Sequence, residues 1–418
     1  MNRTNDPGRT TGANLLALRG HNTALVLDLL RTAGAEGISR LELAERTGLT
    51  PQAVSKITAR LREEGLAAEA GHRASTGGKP RTVLRLVPEA GHAVGVHLDR
   101  DELRVVLVRL DGRVVAERCT PLDLGAGASE VVGGVVGEVR GVLGGGVVGL
   151  LGVGVALPGP LDHARGVLGR VTGFPDWEGF PLRDVLTREL GVPVVVDKDT
   201  NAAALGLAVS GEGGAGGSAD GVGEEGSGGS AVKEGAARKK GSVGVGSGAD
   251  AGNSVGTGGS AGTGSAVEMG SSVGERGSFA YLHLGTGLGA GLVVGGHVHR
   301  GARTGAGEFG HQVILLDGPR CPCGKSGCVE VLCLAALGRG DLGEAARVLG
   351  VGAANLVGLL DIDLVLLGGR RVAQAPEVFV AGVSAVVGEV PVRVAGGGAW
   401  GVAAGAAQLW LGPVFGRG

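Results

Sequence analysis

Residues 305–330 read GAGEFGHQVILLDGPRCPCGKSGCVE, a stretch with one histidine and three closely spaced cysteines. His311, Cys321, Cys323 and Cys328 are separated by nine, one and four residues. Three thiolates and one imidazole suit a tetrahedral Zn²⁺ ion, and four protein ligands leave no position for water, which is typical of a structural site. The spacing therefore predicts a structural zinc site at these four residues, with a chance cluster of cysteines as the alternative.

Glycine is unusually abundant in the surrounding chain. Of 418 residues, 87 are Gly, well above the usual share of about 7%. Residues 211–280 alone contain 24 Gly and 11 Ser and no Pro. Such a segment cannot bury enough apolar surface to offset the entropy cost of ordering it, so residues 210–277 are predicted to be a flexible insertion. Disorder throughout the chain is excluded, because Val- and Leu-rich segments flank this region on both sides.

The first 90 residues predict a separate DNA-binding domain. They carry 13 Lys and Arg against 9 Asp and Glu, a net charge of +4. After a polar tail at residues 1–15, helical spacing begins near residue 21. Ser39 and Glu42 form a capping-box pair for a second helix, and Thr50 with Pro51 begins a third. Two short β-prone segments with a basic loop between them follow, so residues 16–90 are predicted to form a winged helix-turn-helix.

A short helix with an exposed polar face fits the major groove of DNA, and basic side chains beside it neutralise phosphates. A small helical subdomain that binds protein is the alternative. The side chains expected to contact DNA are Thr50, Gln52, Ser55, Lys56, Arg60, Arg73, Lys79 and Arg81.

The rest of the chain alternates short apolar strands with helices, which predicts an α/β fold in two lobes. We place the first lobe at residues 91–196 and the second at residues 197–418, the latter interrupted by the 210–277 insertion. Strands are expected at residues 93–98, 103–110, 114–118, 150–156 and 194–196, and helices at residues 128–143 and 182–190.

Cysteine usage and hydropathy indicate a cytoplasmic protein. Four of the five cysteines lie within residues 321–333, which favours a metal site or reduced thiols over a secreted disulfide framework. Cys119 and Cys333 are expected to be ordinary buried thiols. The polar N-terminus does not resemble a signal peptide, and the apolar runs at residues 141–161 and 394–416 are interrupted by Gly and Pro, so no membrane span is expected.

Several motifs together resemble the ROK family of repressors, open reading frames and sugar kinases. The matching stretches are GTGLGAG at residues 285–291, GAGEFGH at residues 305–311 followed by the cysteine motif and Glu330, ALPGP at 156–160, DKDTNAAA at 197–204, and DLVLLGG at 363–369. With the winged helix, these matches extend over about residues 20–415, apart from the insertion.

The resemblance implies an actin-like, hexokinase-like ATPase fold with a sugar bound between two lobes. In family kinases the residue matching Asp199 is the base that takes a proton from the sugar hydroxyl, as a carboxylate can. The resemblance also implies sugar contacts from Glu308, His311 and Glu330, with His311 serving as a zinc ligand too. Its phosphate-loop-like segment contains Gly285, Thr286, Gly287 and Gly289.

The sequence departs from the kinase pattern where ATP would bind. Family kinases carry Asp-x-Gly-Gly-Thr-Lys after the first strand, whereas residues 97–102 read HLDRDE. The glycines that let backbone N–H groups approach phosphate are missing, and the acidic groups would repel ATP. Lys198 replaces the Asn that usually precedes the catalytic Asp, and Gly173 stands where a sugar-contacting Asn is often found. ATP use is therefore doubtful, and Asp199 is expected to be a non-catalytic ligand contact.

The leading hypothesis is a sugar-responsive transcriptional regulator, a repressor of carbohydrate-use genes that a sugar ligand releases from operator DNA. We expect it to act as a homodimer or a dimer of dimers. The alternatives are an ATP-dependent sugar kinase of the ROK type carrying a DNA-binding head, and a scaffold that binds DNA but no sugar.

Overall fold

The computed structural model describes residues 20–73, 81–144, 146–171, 174–211 and 277–417. The predicted polar tail at residues 1–15, Lys79, Gly173 and nearly all of the predicted 210–277 insertion lie outside these residues, as does the side chain of Arg73.

Residues 20–73 and 81–90 fold as the predicted winged helix-turn-helix, here called the head. Ser39 Oγ accepts a hydrogen bond from the Glu42 N–H at 3.3 Å, while the Ser39 N–H donates to Glu42 Oε2 at 2.8 Å, which is the expected capping box. Gly48 adopts a left-handed conformation at the helix end, with φ 69°. The elements are α1 (His21–Thr32), β1 (Ile38–Ser39), α2 (Arg40–Thr47), α3 (Pro51–Glu63), β2 (Ala67–Arg73) and β3 (Arg81–Leu86).

The first lobe is built on a five-stranded sheet. The strand order is β10-β7-β4-β5-β6, with β4 parallel to β7 and antiparallel to β5. Apolar residues of the helices, such as Val135, Val139 and Leu186, pack against this sheet. The elements are β4 (His92–Leu98), β5 (Glu102–Arg109), β6 (Val114–Pro121), α4 (Ala128–Leu143), β7 (Leu150–Leu157), β8 (Leu161–Asp162), β9 (Val167–Leu168), α5 (Leu182–Leu190) and β10 (Val194–Lys198).

The second lobe is built on another five-stranded sheet, in the order β13-β12-β11-β14-β15. Its strand β11 is antiparallel to β12 and parallel to β14. The elements are α6 (Asp199–Ser210), β11 (Phe279–Leu284), β12 (Leu288–Val294), β13 (His297–Val298), α7 (Val329–Gly338), α8 (Leu342–Leu360), β14 (Leu364–Gly368), α9 (Arg370–Gln374), α10 (Pro376–Val387) and β15 (Val392–Val394).

The last helix, α11 (Gly401–Val414), returns to the sheet of the first lobe. Glycines make this close packing possible, because a Cβ on Gly95 of β4 or on Gly154 of β7 would collide with a carbonyl oxygen of α11. The lobe boundary predicted after residue 196 had assigned α11 to the second lobe. Its packing against the first sheet is set by contacts between residues about 250 to 300 positions apart, which local periodicity does not show.

Helix α8 is the longest and one of the more apolar helices of the second lobe. Among the described residues, α8 is long and apolar enough to cross a membrane by those two criteria. Its residues Ala345, Leu349 and Ala353 are fully buried in the second lobe, as in the core helix of a folded domain. The apolar run at residues 394–416 contains α11, which has 14 residues, fewer than the about 20 that a spanning helix needs.

The prediction of two buried thiols is half correct. Cys333 is fully buried among the apolar residues of the second lobe. Cys119 is exposed, contrary to the prediction. It lies on β6, the outermost strand of the first sheet, most of whose residues face solvent.

Candidate functional site

The four residues expected to contact a sugar line one cavity in the cleft between the two sheets. Its volume is about 110 Å³, and its walls include Asp199, Glu308, His311 and Glu330. Asp199 is the first residue of α6, directly after β10, and its Oδ1 accepts a hydrogen bond from the Thr200 N–H at 2.6 Å. The structure therefore brings together carboxylates and an imidazole that are up to 131 residues apart in the chain.

Lys198 adds a buried cation to this cavity. Its Nζ donates to the carbonyl oxygen of Ala306 and lies 3.2 Å from Glu308 Oε1. The Lys198 side chain is only 3% exposed, whereas that of Glu308 is 42% exposed. The ammonium group thus holds the Glu308 carboxylate in place, and the exposed part of Glu308 remains open to a ligand.

The buried carboxylate of Asp197 fixes the start of α6 through its hydrogen bonds. Its Oδ2 lies 2.6 Å from Arg300 Nε, and its Oδ1 accepts hydrogen bonds from the Lys198 N–H and from Asn201 Nδ2, both at 2.8 Å. A buried carboxylate needs such partners to offset its desolvation. The sequence prediction missed Arg300, because it is 103 residues from Asp197 and belongs to no recognised motif.

The glycine-rich segment predicted to resemble a phosphate loop forms the turn between β11 and β12. Thr286, Gly287 and Gly289 line the cleft cavity, while Gly285 begins the turn by donating its N–H to the Gly287 carbonyl at 3.0 Å. Glu330 Oε2 accepts a hydrogen bond from the Leu288 N–H at 2.8 Å. Glu330 therefore ties this turn to the first turn of α7 and faces the cleft at the same time.

A second and larger cavity, of about 760 Å³, adjoins the first. His97, Asp99, Tyr281, His283 and Arg370 are among the residues that line it. Tyr281 Oη and His283 Nδ1 are 2.9 Å apart. Burial lowers the pKa of His97 below its usual value despite the nearby carboxylates of Asp199 and Asp99.

Arg370 forms an ion-pair cluster with the loop that departs from the kinase pattern. One of its terminal nitrogens, Nη2, lies 2.5 Å from Asp99 Oδ2 and 2.7 Å from Asp101 Oδ1. Burial favours a higher pKa for Asp99, but the charge of His97 and hydrogen bonds from the Arg100 N–H and Arg370 hold that pKa below its usual value. The guanidinium neutralises the acidic groups of the loop and joins the first lobe to the start of α9 in the second.

The predicted metal ligands come together at one point. Ligand atoms of His311, Cys321, Cys323 and Cys328 all lie within 4.8 Å of one another. Cys321 Sγ is 3.7 Å from His311 Nδ1, and Cys323 Sγ is 3.7 Å from Cys328 Sγ. Two sulfurs bound tetrahedrally at the usual Zn–S distance lie about 3.8 Å apart. The donor set and its spacing therefore fit a four-coordinate metal ion.

The head presents a polar surface along α3. Gln52, Ser55 and Lys56 are exposed on it, while Val54, Thr58 and Leu61 face the core. Thr50 is exposed and caps the helix by accepting a hydrogen bond from the Ala53 N–H at 3.3 Å. Arg60 is paired with Glu64 at 2.9 Å, and Arg81 is exposed at the start of β3.

Comparison with known proteins agrees with this division into a head and a two-lobed body. Residues 94–219 and 266–337 match the model of the ROK family, and residues 26–67 match a winged helix-turn-helix DNA-binding model. The chain contains a ROK family domain preceded by a winged helix-turn-helix. The family resemblance inferred from the motifs is thus confirmed.

Curated relatives of this ROK chain include regulators. It is 24% identical over 296 residues to a xylose repressor of Bacillus subtilis, covering 70% of this chain and 61% of the repressor. It is 25% identical over 329 residues to the DNA-binding transcriptional dual regulator NagC of Escherichia coli, covering 78% of this chain and 65% of NagC. The chain spans about three fifths of the length of the first relatives it matches.

Solved structures confirm the predicted fold class. A ROK family transcriptional regulator, a homologue of the Escherichia coli MLC protein, aligns with a TM-score of 0.64 at 18% identity, covering 95% of this chain and 98% of that one. A ROK hexokinase from Thermus thermophilus aligns with a TM-score of 0.52 at 26% identity, covering 76% and 96%. The hexokinase-like body and the preceding winged helix are therefore both established.

Proposed function

We propose that this ROK chain is a sugar-responsive DNA-binding regulator, a repressor of carbohydrate-use genes that a sugar releases from its operator. The observation that carries the proposal is the exposed polar face of α3 on a head that accompanies a sugar-type cleft. A kinase has no use for such a helix. The names of the xylose repressor and of NagC among its relatives agree with this function.

The sugar is proposed to bind in the 110 Å³ cavity. Asp199, Glu308 and Glu330 accept hydrogen bonds from its hydroxyls, and His311 lies beside them. Lys198 donates to a ligand oxygen or keeps Glu308 oriented toward one, since an ammonium group is a donor only. A small set of fixed polar groups of this kind gives orientation and specificity to a sugar site.

The segment at residues 97–102 disfavours the kinase alternative, because a phosphate donor bound there would need cations and free N–H groups. There the chain has Asp99 and Asp101, and the nearby guanidinium of Arg370 is already engaged by both. Asp199 is then a ligand contact without a phosphate donor beside it. We expect no release of ADP from ATP in the presence of D-xylose, D-glucose or N-acetyl-D-glucosamine. ADP release by the parent chain that Asp199→Asn abolishes would instead support the kinase hypothesis.

The metal is proposed to be a structural Zn²⁺ ion held by His311, Cys321, Cys323 and Cys328. The four donors fit tetrahedral coordination and leave no position for water. When bound, the ion cross-links the loop between β13 and α7 and thereby orients His311. Because His311 also lines the cleft, the metal stabilises one wall of the sugar site.

The head is proposed to bind operator DNA in a homodimer or a dimer of dimers, in the cytoplasm. Gln52, Ser55 and Lys56 are proposed to contact base edges, and Thr50 lies at the start of the same helix. Arg60 and Arg81 are proposed to neutralise phosphates, with Arg73 and Lys79 as further basic groups of the wing. Paired heads on two half-sites would follow the two-fold symmetry common in such complexes.

The test is binding of the protein to DNA from upstream of its own gene, followed by fluorescence anisotropy against an unrelated duplex of equal length. We expect Lys56→Ala to weaken specific binding about 5- to 100-fold, the loss typical of one base or phosphate contact. Arg188→Ala, which removes an exposed positive charge from α5 in the body, is the matched control and is expected to leave the affinity unchanged. Equal affinity of Lys56→Ala and the parent chain would contradict the assigned recognition helix.

A further inference from the structure

Helix α6 connects the cleft with the DNA-binding head. Its first residues, Asp199 and Thr200, line the cleft cavity. Its last turn meets two arginines from outside the second lobe. Arg417 Nη1 donates to the Ala208 carbonyl at 3.2 Å, and Arg31 Nη2 donates to the Val209 carbonyl at 3.4 Å. The 12 residues of α6 span roughly 18 Å as a straight helix.

Both arginines belong to one polar cluster at the base of the head. Arg31 lies on α1 and binds Asp28 on the same helix with two nitrogens, at 2.7 and 3.1 Å. Arg417, just beyond α11, binds the other oxygen of Asp28 at 2.8 Å. The Arg31 guanidinium also lies 5.2 Å from the centre of the Phe415 ring. With side chains of Arg31 and Asp28 only 13% and 19% exposed, these contacts are shielded from salt and solvent.

The head is not attached to the body only through its chain connection. Val26, Leu27 and Leu30 of α1 share one continuous apolar core with Leu411 of α11 and with Phe415. This core also includes residues of β4 and β5 in the first sheet. The first helix of the head is therefore packed onto the first lobe, and displacement of that lobe or of α11 would carry the head with it.

Helices α6 and α11 are held to different sheets. A Cβ on Gly291 of β12 would collide with the Thr200 carbonyl, so α6 lies directly on the second sheet. Helix α11 lies on the first sheet by the same kind of close contact. The two helices cross at Gly206 and Gly405, where the absence of side chains lets their backbones come close together. A change in cleft closure would therefore slide α6 along α11.

We propose that Arg31, together with Arg417, couples ligand binding in the cleft to the orientation of the head by holding the C-terminal carbonyls of α6. A ligand bound at Asp199 shifts α6 relative to α11, the two arginines lose or change their contacts with Ala208 and Val209, and α1 reorients. This coupling deepens the proposed function and rests on it. It requires only that the ligand favour one of two arrangements.

The test compares Arg31→Gln and Arg417→Gln with the parent chain and with Arg347→Gln, a control that removes an exposed arginine paired with Glu344 on α8. Operator affinity is measured with and without D-xylose or N-acetyl-D-glucosamine, and sugar affinity is measured separately by calorimetry. The parent chain and the control are expected to lose operator affinity about 10-fold on sugar binding, within the usual range of coupling. Both test variants should bind the sugar with the affinity of the parent chain, but the sugar should change their operator affinity less than about twofold.

The thermodynamic linkage between sugar binding and operator binding gives a second measurement of the coupling. Operator DNA must change the sugar affinity by the same factor as the sugar changes the operator affinity, and this reciprocal effect should also disappear in Arg31→Gln and Arg417→Gln. If Arg31→Gln does not fold, Arg417→Gln decides the matter alone. Undiminished coupling in a folded variant overturns the proposal for these arginines. A parent chain that binds no operator, or binds sugar without any effect on DNA, overturns the proposed function and this coupling with it.

Discussion

At the scale of single residues, acidic groups in and beside the cleft are paired with cations. Lys198 engages Glu308, Arg300 engages Asp197, and Arg370 engages Asp99 and Asp101. Each cation thus reduces the cost of a carboxylate held close to the cleft. The result is a site whose acidic groups are positioned to accept hydrogen bonds from hydroxyls.

Lys198→Ala is expected to lower sugar affinity about 10- to 100-fold. The substitution removes the buried ammonium group and frees Glu308 to rotate, so the carboxylate must be ordered again when a ligand binds. Because Glu308 is 42% exposed, its unpaired carboxylate stays hydrated, and the free energy of unfolding should fall only by about 1–2 kcal/mol. Calorimetric titration with the active sugar measures the first effect and urea unfolding the second. Unchanged sugar affinity would exclude Lys198 from the site.

Arg370→Gln is expected to lower the free energy of unfolding by about 1–2 kcal/mol at pH 7, a modest loss because the Arg370 side chain is 38% exposed. The pKa of Asp99 and that of Asp101 are both held below their usual values, and hydrogen bonding to Arg370 is the main cause for Asp101. Groups with lowered pKa stabilise the folded state above the unfolded-state pKa, near 4, and lose this contribution as the pH falls through their folded values.

The difference in unfolding free energy between the parent chain and Arg370→Gln should therefore be constant from pH 6 to 8 and shrink below about pH 4. Urea unfolding at several pH values measures it. A difference that persists unchanged in acid would show that Arg370 acts through packing and not through these two carboxylates.

At the scale of elements, the sequence predicted the features that depend on neighbouring residues and missed those that depend on distant ones. The capping box at Ser39 and Glu42 and the cap at Thr50 involve residues at most four positions apart, and both form as predicted. The contacts of Arg300 with Asp197, of Arg370 with Asp99 and of Arg31 with Val209 join residues more than 100 positions apart and carry no local pattern. The sequence therefore predicted the helices and strands well and, by motif, grouped carboxylates that line one cavity, but it did not predict the arginines that pair with acidic groups around it.

The cysteine loop provides a prediction with an internal control. The purified protein is expected to contain about one zinc ion per chain, as a closed set of four ligands binds one ion. Cys323→Ser should lose this ion and unfold at lower temperature, because metal binding contributes directly to the stability of such a loop. Its sugar affinity should also fall, since His311 loses its fixed position.

Cys119→Ser is the matched control, because this exposed cysteine lies on β6, away from the loop. Metal analysis by mass spectrometry and thermal unfolding of both variants give the comparison. Zinc retained in Cys323→Ser, or lost equally in Cys119→Ser, would contradict the assigned ligands.

At the scale of the whole molecule, the head and the cleft are parts of one packed structure. The last helix returns to the first sheet, its end packs against α1 of the head, and α6 runs from the cleft to the same junction. The sequence indicated a head and two lobes but not this arrangement, because the return of α11 depends on glycines in β4 and β7 far from it in the chain. A ligand in the cleft can thus alter the head through direct contacts.

The central claim is that a sugar in the cleft weakens operator binding by the head. Its most direct test is anisotropy of labelled upstream DNA titrated with protein, in parallel with calorimetry, in the presence of D-xylose, D-glucose or N-acetyl-D-glucosamine. The account predicts that at least one sugar binds and raises the operator Kd about 10-fold, a typical coupling strength. A sugar that binds by calorimetry while the operator Kd stays unchanged would contradict it.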